Sequence, residues 1–258
     1  DFCLSRGLGD VYKRQQAITV IEAPSASALS WASSTVPLTS YGPAIATNSD
    51  GTKVFAGAVK GGYISSDSGA TWSAISALNN VNSSGYQVSV AMSTDGTKLY
   101  YAFNNKMYYS WDSGSTWNNA NTSSNQQVWS ISASYDGTKI LMTTRDGGLY
   151  SYSTNSGQTW NVVTDSYGGG WAGAISGDGT KIIIAERNSR NRSTGSGIPR
   201  MGLLGGTLSP IAAGGAGTGF DAVNTSSYND WRGATCDYTC THIVLANAQG
   251  GLYTSSDS

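Results

Sequence analysis

From about residue 40 onward, polar and apolar residues follow a period of two. In 86–92, Tyr86, Val88, Val90 and Met92 share one side of an extended chain and Gln87, Ser89 and Ala91 the other, the pattern of a half-buried strand. Thr94–Lys98 reads TDGTK and predicts a tight hairpin, with Asp-Gly supplying the positive φ values of a primed turn. Leu99–Phe103, LYYAF, is continuously apolar and predicts a strand covered on both faces. KMYYSW at 106–111 predicts a third strand, and TWNNAN at 116–121 begins a fourth. No apolar run approaches the ~20 residues of a membrane span.

This unit recurs. DGTK begins at Asp50, Asp95, Asp136 and Asp178, in steps of 45, 41 and 42 residues. A second string follows each of the first three: SSDSGATW at Ser65–Trp72, SWDSGSTW at Ser110–Trp117 and STNSGQTW at Ser153–Trp160. A period of this length with four short strands is that of a β-propeller blade.

The pattern S-x-D-x-G-x-T-W resembles the Asp-box, or BNR repeat, of sialidases, xyloglucanases, sortilin-type receptors and the photosystem II assembly factor family. The resemblance spans residues 40–258 and implies an all-β propeller of four-stranded antiparallel blades. It also implies that the box joins third and fourth strands away from the ligand face. Asp67, Asp112 and Asn155 are then expected to accept hydrogen bonds from their own turns, and Gly69, Gly114 and Gly157 to allow a left-handed backbone. Trp72, Trp117 and Trp160 would bury the start of the outer strand. These are structural roles, not catalytic ones.

Blades are expected at about 40–80, 81–124, 125–168 and 169–227, with a partial blade at 228–258. In the last, CDYTCTHIVLA replaces GDGTKIIIA, read as a turn with two extra residues. Cys236 and Cys240 are either a disulfide across that turn or two free thiols. In the fourth blade GTLSPIAAGGAGTG stands where a box is expected, so a plain turn is predicted there. Ser5–Gln15, SRGLGDVYKRQ, reads as a translated transposon-type sequencing adapter. Residues 1–15 are therefore set aside as non-native, and 16–258 are expected to be an incomplete propeller whose native N-terminus is missing.

Composition agrees with strands and turns: 33 Gly among 258 residues, with only 12% charged. Without residues 1–15 the net charge is −2, which argues against a broad basic surface for nucleic acid. With His242 the single histidine, neither a histidine-based metal site nor a Ser-His-Asp triad is expected, and no cofactor is expected.

Three groups of residues are candidates for chemistry. Tyr41, Tyr86, Trp129, Trp171 and Trp231 each begin an inner strand; such a ring could stack sugars, or pack blade on blade. Arg187, Arg190, Arg192 and Arg200 cluster beside Glu186 in the divergent fourth blade, where a guanidinium group could clamp an anion, or the segment is simply a solvated loop. Glycosidases commonly use two carboxylates about 5–10 Å apart. The chain has only Glu22 and Glu186 as glutamates, which leaves Asp165 and Asp230, in loops entering inner strands, as the pair to weigh.

The expected function is a non-catalytic binding or scaffolding propeller, exported or on a cell surface, that recognises a glycan or a protein. One alternative is a fragment of a sialidase- or xyloglucanase-like glycoside hydrolase. Another is an assembly factor similar to that of photosystem II.

Overall fold

A computed structural model describes residues 36, 43–59, 61–79, 87–120, 127–144, 149–164, 170–186, 199–210, 231–248 and 251–255. The chain divides into units 1–34 and 35–258, and every described residue lies in the second. Asp165, Asp230, Arg187, Arg190, Arg192, Tyr41 and Tyr86 lie outside the described residues.

The architecture is all-β. Sheet one comprises β1 (Ala44–Thr47), β2 (Val54–Ala58), β3 (Gly61–Ser65) and β4 (Ser73–Ile75). Sheet two holds β5 (Val88–Met92), β6 (Leu99–Phe103), β7 (Lys106–Ser110) and β8 (Asn118–Ala120). In sheet three are β9 (Val128–Ala133), β10 (Ile140–Thr144), β11 (Leu149–Ser153) and β12 (Asn161–Thr164). Sheet four contains β13 (Gly170–Ile175), β14 (Lys181–Glu186), β15 (Arg200–Leu203) and β16 (Leu208–Pro210). Sheet five has β17 (Trp231–Cys236), β18 (Ile243–Asn247) and β19 (Leu252–Ser255). Each sheet is an antiparallel meander with its strands in chain order. The first strands pack in succession: β1 on β5, β5 on β9, β9 on β13 and β13 on β17.

Alternation within the second strands explains why they are apolar throughout. Leu99, Tyr101 and Phe103 pack with Phe55, Leu78 and Val88 toward sheet one. Tyr100 and Ala102 face the other way, with Ile131, Ile140 and Met142 of sheet three. Leu141 meets Ile182 and Ile184 of sheet four, while Ile183 and Ala185 join Trp231 and Leu245 of sheet five. The core is thus a series of layers between sheets. Burying one such side chain contributes about 1.5–3 kcal/mol.

The DGTK turns are not primed turns. In each, the glycine N–H closes the turn onto the residue three before it, as in Gly96 N–H to Ser93 C=O at 2.9 Å. The glycine therefore follows the two central residues, with φ of 72°, 69°, 65° and 70° in the four copies. The aspartate braces the turn: Asp95 Oδ1 accepts the Thr97 N–H at 3.0 Å and the Ser93 hydroxyl at 2.6 Å. Successive turns are clasped together. Ser49 N–H donates to Thr94 C=O, Thr94 N–H to Tyr135 C=O, Tyr135 N–H to Gly177 C=O, and Asp178 N–H to Tyr238 C=O. Lysine arms reach the same way: Lys98 Nζ donates to Asp136 C=O at 2.6 Å and Lys139 Nζ to Asp178 C=O at 3.3 Å.

Primed geometry occurs instead in the second motif. Ser68 and Gly69 both have positive φ, 58° and 91°, and Ala70 N–H closes on Asp67 C=O. The same pair recurs at Ser113–Gly114 and Ser156–Gly157. Asp67 Oδ1 accepts the Thr71 N–H at 2.8 Å, Asp112 Oδ1 that of Thr116 at 2.8 Å, and Asn155 Oδ1 that of Thr159 at 3.0 Å. The indole N–H of Trp72, Trp117 and Trp160 donates to the carbonyl of Gly69, Gly114 and Gly157. These turns join the third strand to the fourth in sheets one to three. In sheet four a plain turn, Leu203–Gly206, takes their place; Gly205 has φ 78° and Gly206 N–H closes on Leu203 C=O.

The fifth turn carries no insertion. Asp237-Tyr-Thr-Cys-Thr-His242 aligns residue for residue with Ser176-Gly-Asp-Gly-Thr-Lys181, because Asp237 N–H bonds His242 C=O as Ser176 N–H bonds Lys181 C=O. Asp237 takes the serine position and accepts the Thr241 N–H at 2.8 Å. Cys236 and Cys240 are joined as a disulfide.

Candidate binding site

Both kinds of turn lie at one end of the sheets, and they occupy the carboxylates there. All seven described aspartates sit in turns. The Thr71 hydroxyl and N–H and the Ser65 hydroxyl hold the Asp67 carboxyl down at about 2. The Thr116 and Ser110 groups do the same for Asp112, also at about 2. The Ser93 hydroxyl and the Thr97 N–H lower Asp95 to about 2, and His242 is the main cause of the lowering at Asp237. A carboxylate committed to its own turn is a brace, not a general acid.

The opposite end, where the first strands begin, differs in kind. In sheet three Val128 pairs with Thr144 and Ser130 with Thr143, so Trp129 is the extra residue of a bulge. Sheet four repeats the irregularity: Gly170 pairs with Glu186, Ala172 with Ala185, and Trp171 is left over. In sheet five Trp231 pairs with Asn247 and Gly233 with Ala246, leaving Arg232. A bulge of this kind bends the strand and re-aims the extra side chain. The three extra residues meet. The Trp129 and Trp171 rings stack with centroids 4.1 Å apart and planes 29° from parallel. The exposed Arg232 places its guanidinium carbon 3.4 Å from the Trp171 centroid. The ring stack is worth about 0.5–1.5 kcal/mol beyond area burial, and the cation contact about 0.5–1 kcal/mol.

Glycine sets the close approach. A Cβ on Gly170 would lie 2.8 Å from Ile184 Cγ2 and 3.2 Å from Thr143 Cβ. Bare backbone at Gly170 and Gly173 therefore lets sheet four come down on sheet three beside the stack.

Trp231 does not belong to this ladder. It is wholly buried in the layer between sheets four and five, with its ring 5.1 Å from that of Tyr253 and inclined to it at 64°. The bulge recurs in all three sheets, so Trp231 is level with Val128 and Gly170, one residue before the bulged position, and Arg232 stands where Trp129 and Trp171 stand. Counting back from the turn would have found it, since Trp129, Trp171 and Arg232 each lie five residues before the first turn position. Arg200 is likewise not a loop residue. It opens β15, pairs with Ile184 and Pro210, and is buried. Glu186 ends β14 at the same end as the ladder. Among the described residues no cluster of three His, Cys, Asp or Glu side chains is placed to hold a metal ion. None of the described helices is long and apolar enough to cross a membrane.

No known family's sequence pattern matches the chain, and no curated protein sequence matches it. Solved structures do match. The GH74 xyloglucanase from Xanthomonas campestris aligns with a TM-score of 0.64 at 14% identity, over 83% of this chain and 36% of that one. YCF48 bound to D1 peptide aligns with a TM-score of 0.57 at 17% identity, over 86% of this chain and 68% of that one. An ancestral GH74 enzyme aligns with a TM-score of 0.56 at 15% identity, over 81% of this chain. The chain spans only about a third of each GH74 enzyme, 30% of the ancestral one. The likeness is one of fold, and that fold is the propeller-like one common to GH74 enzymes and YCF48.

Proposed function

We propose that the chain is a segment of a closed β-propeller with Asp-box turns, and that the bulged end of its inner strands binds a glycan or a protein. The observation that carries this reading is the ladder Trp129–Trp171–Arg232, three residues from three successive sheets brought together at one end. Trp171 is buried between Trp129 and Arg232 and positions them, so the half-buried Trp129 offers the aromatic surface and the exposed guanidinium a bidentate donor for a carboxylate. The seven described aspartates are spent on turns at the far end. Arg187 and Arg190, which follow Glu186 in the sequence, are candidates to add to the positive charge of Arg232. A disulfide at Cys236–Cys240 supports an exported or cell-surface location, because such bonds persist in oxidising compartments.

Calorimetric titration of the chain with xyloglucan oligosaccharides and with acidic peptides tests this reading. Trp129→Ala, Trp171→Ala and Arg232→Ala are each expected to weaken binding about tenfold or more, which corresponds to ~1.4 kcal/mol. Unchanged affinity in all three would remove the ladder from the site.

The structural likenesses weigh toward a second reading, that the segment comes from a glycoside hydrolase, because the GH74 xyloglucanase aligns with a TM-score of 0.64. Asp165 and Asp230 are the carboxylates this segment would contribute. Hydrolysis of xyloglucan or a fluorogenic β-glucoside that disappears in Asp165→Asn or Asp230→Asn would establish it. Binding of acidic peptides in preference to sugars would instead favour the assembly-factor reading, in line with the D1 peptide bound by YCF48.

A further inference from the structure

Four of the five turns place glycine at the left-handed position: Gly51, Gly96, Gly137 and Gly179. The fifth places Cys240 there, with φ 51°. Its N–H closes on Asp237 C=O at 3.2 Å, the bond the glycines make in their own turns. A residue with a β-carbon resists this conformation. What distinguishes Cys240 is its covalent tie to Cys236, the residue immediately before the turn.

We propose that the Cys236–Cys240 disulfide is a redox-operated latch: it holds the fifth turn in the form glycine gives the others, and so docks sheet five on sheet four. Three contacts depend on that form. Tyr238 lies inside the disulfide loop, and its carbonyl accepts the Asp178 N–H at 3.3 Å. The Tyr238 ring covers Gly177 of the sheet-four turn and meets Tyr135, of the sheet-three turn beyond it, edge-on at 5.0 Å. Cys240 is fully buried in the layer that Ala172, Ala174, Ile183 and Trp231 form between the two sheets. The strand that ends at Cys236 also carries Arg232, so releasing the turn loosens the guanidinium from Trp171.

The chemistry is thiol–disulfide exchange with a dithiol. One thiolate of the dithiol attacks Sγ of Cys236, the less buried sulfur, and Cys240 leaves as a thiolate that takes up a proton. The second thiol of the dithiol then attacks the mixed disulfide and frees Cys236 as a thiol. Two electrons pass to the protein, and the dithiol becomes a disulfide. Cys240 is then an L-residue in a left-handed position without its covalent tie, and the turn rests on its hydrogen bonds.

The full chain is compared before and after dithiothreitol, by thermal melting, tryptophan emission and limited proteolysis. Reduction is expected to lower the melting temperature by about 2–4 °C, shift the tryptophan emission and speed cleavage within residues 231–248 severalfold. C236A/C240A is expected to behave like the reduced wild type with or without dithiol. C236A/C240G is expected to behave like the oxidised wild type and ignore dithiol, because glycine supplies the turn without the bond. Identical melting and proteolysis of oxidised and reduced wild type would overturn the latch. So would a C236A/C240G variant no firmer than C236A/C240A. If C236A/C240A does not fold, the comparison of wild type with and without dithiol still decides.

Discussion

At the residue scale, the aspartates show what a repeated acid is for. Asp67 and Asp112 are held at about 2 by hydrogen bonds that only the folded turn makes, against about 3.9 in an unfolded chain. A carboxyl lowered by folding contributes stability above its unfolded pKa and loses it as pH falls through the folded one. The melting temperature should therefore fall as the solution is taken from about pH 4 toward pH 2. The third turn is a natural control, since Asn155 makes the equivalent bonds without titrating. A D67N/D112N variant is expected to melt like wild type at pH 7 and to show a flatter acid limb. An acid limb as steep as that of wild type would show that these two turns are not what acid attacks. The bracing role of these residues was legible in the sequence, because the side chain and its Thr partner are four positions apart in one short string. The left-handed serines before Gly69, Gly114 and Gly157 were not: nothing in serine's chemistry marks it for positive φ, and the primed geometry had been assigned to the wrong motif.

At the scale of elements, the second strand of each sheet is the piece that cannot give way. Tyr101 donates its hydroxyl to Ala58 C=O at 2.7 Å and Tyr100 to Gly137 C=O at 2.6 Å, so one strand bonds to both neighbouring sheets. Removing a hydroxyl and orphaning a buried carbonyl costs about 1–3 kcal/mol. Tyr100→Phe and Tyr101→Phe should each lower stability by that order in chemical denaturation, and the double variant should be close to additive. Gly57 tests packing rather than polarity. A Cβ there would stand 2.5 Å from Val90 Cγ1 and 3.0 Å from Val88 Cγ1, so Gly57→Ala forces sheets one and two apart at a cost of about 1–3 kcal/mol. A neutral result would mean the layer is looser than its contacts imply. Strand order, hairpins and the two-sided burial of Leu99–Phe103 were all readable from periodicity. The bulges were not, because a bulge changes which residue is left over without changing composition. That single residue separates buried Trp231 from exposed Arg232. The fifth turn was misread for a related reason: with glycine replaced by Cys240 the motif vanished from the string, although its length did not change.

For the whole molecule, the two ends of the sheets have divided their work, carboxylate-braced turns at one and the aromatic–cation ladder at the other. A ligand held by the ladder should change tryptophan emission, and the change should be lost in Trp171→Ala yet survive Asp67→Asn at the far end. Equal loss in both variants would mean that the signal reports folding rather than contact. The clasps between turns have a direction: each turn gives an N–H to the next and offers a carbonyl to the one before. The first three junctions are therefore of the same kind, standard fittings rather than bespoke ones, and the fourth shifts its donor by one residue, to Asp178. Chain length in such an array is free to change in whole repeats. Excising Thr94–Ser134, which runs from one turn to the same point of the next, rejoins Ser93 to Tyr135 within an unbroken turn sequence. That shortened chain is expected to melt cooperatively, whereas a deletion of half a repeat leaves a mismatched fitting and is not. Duplication and loss of single units would then be the ordinary way for a protein of this design to evolve a longer or shorter row of sheets.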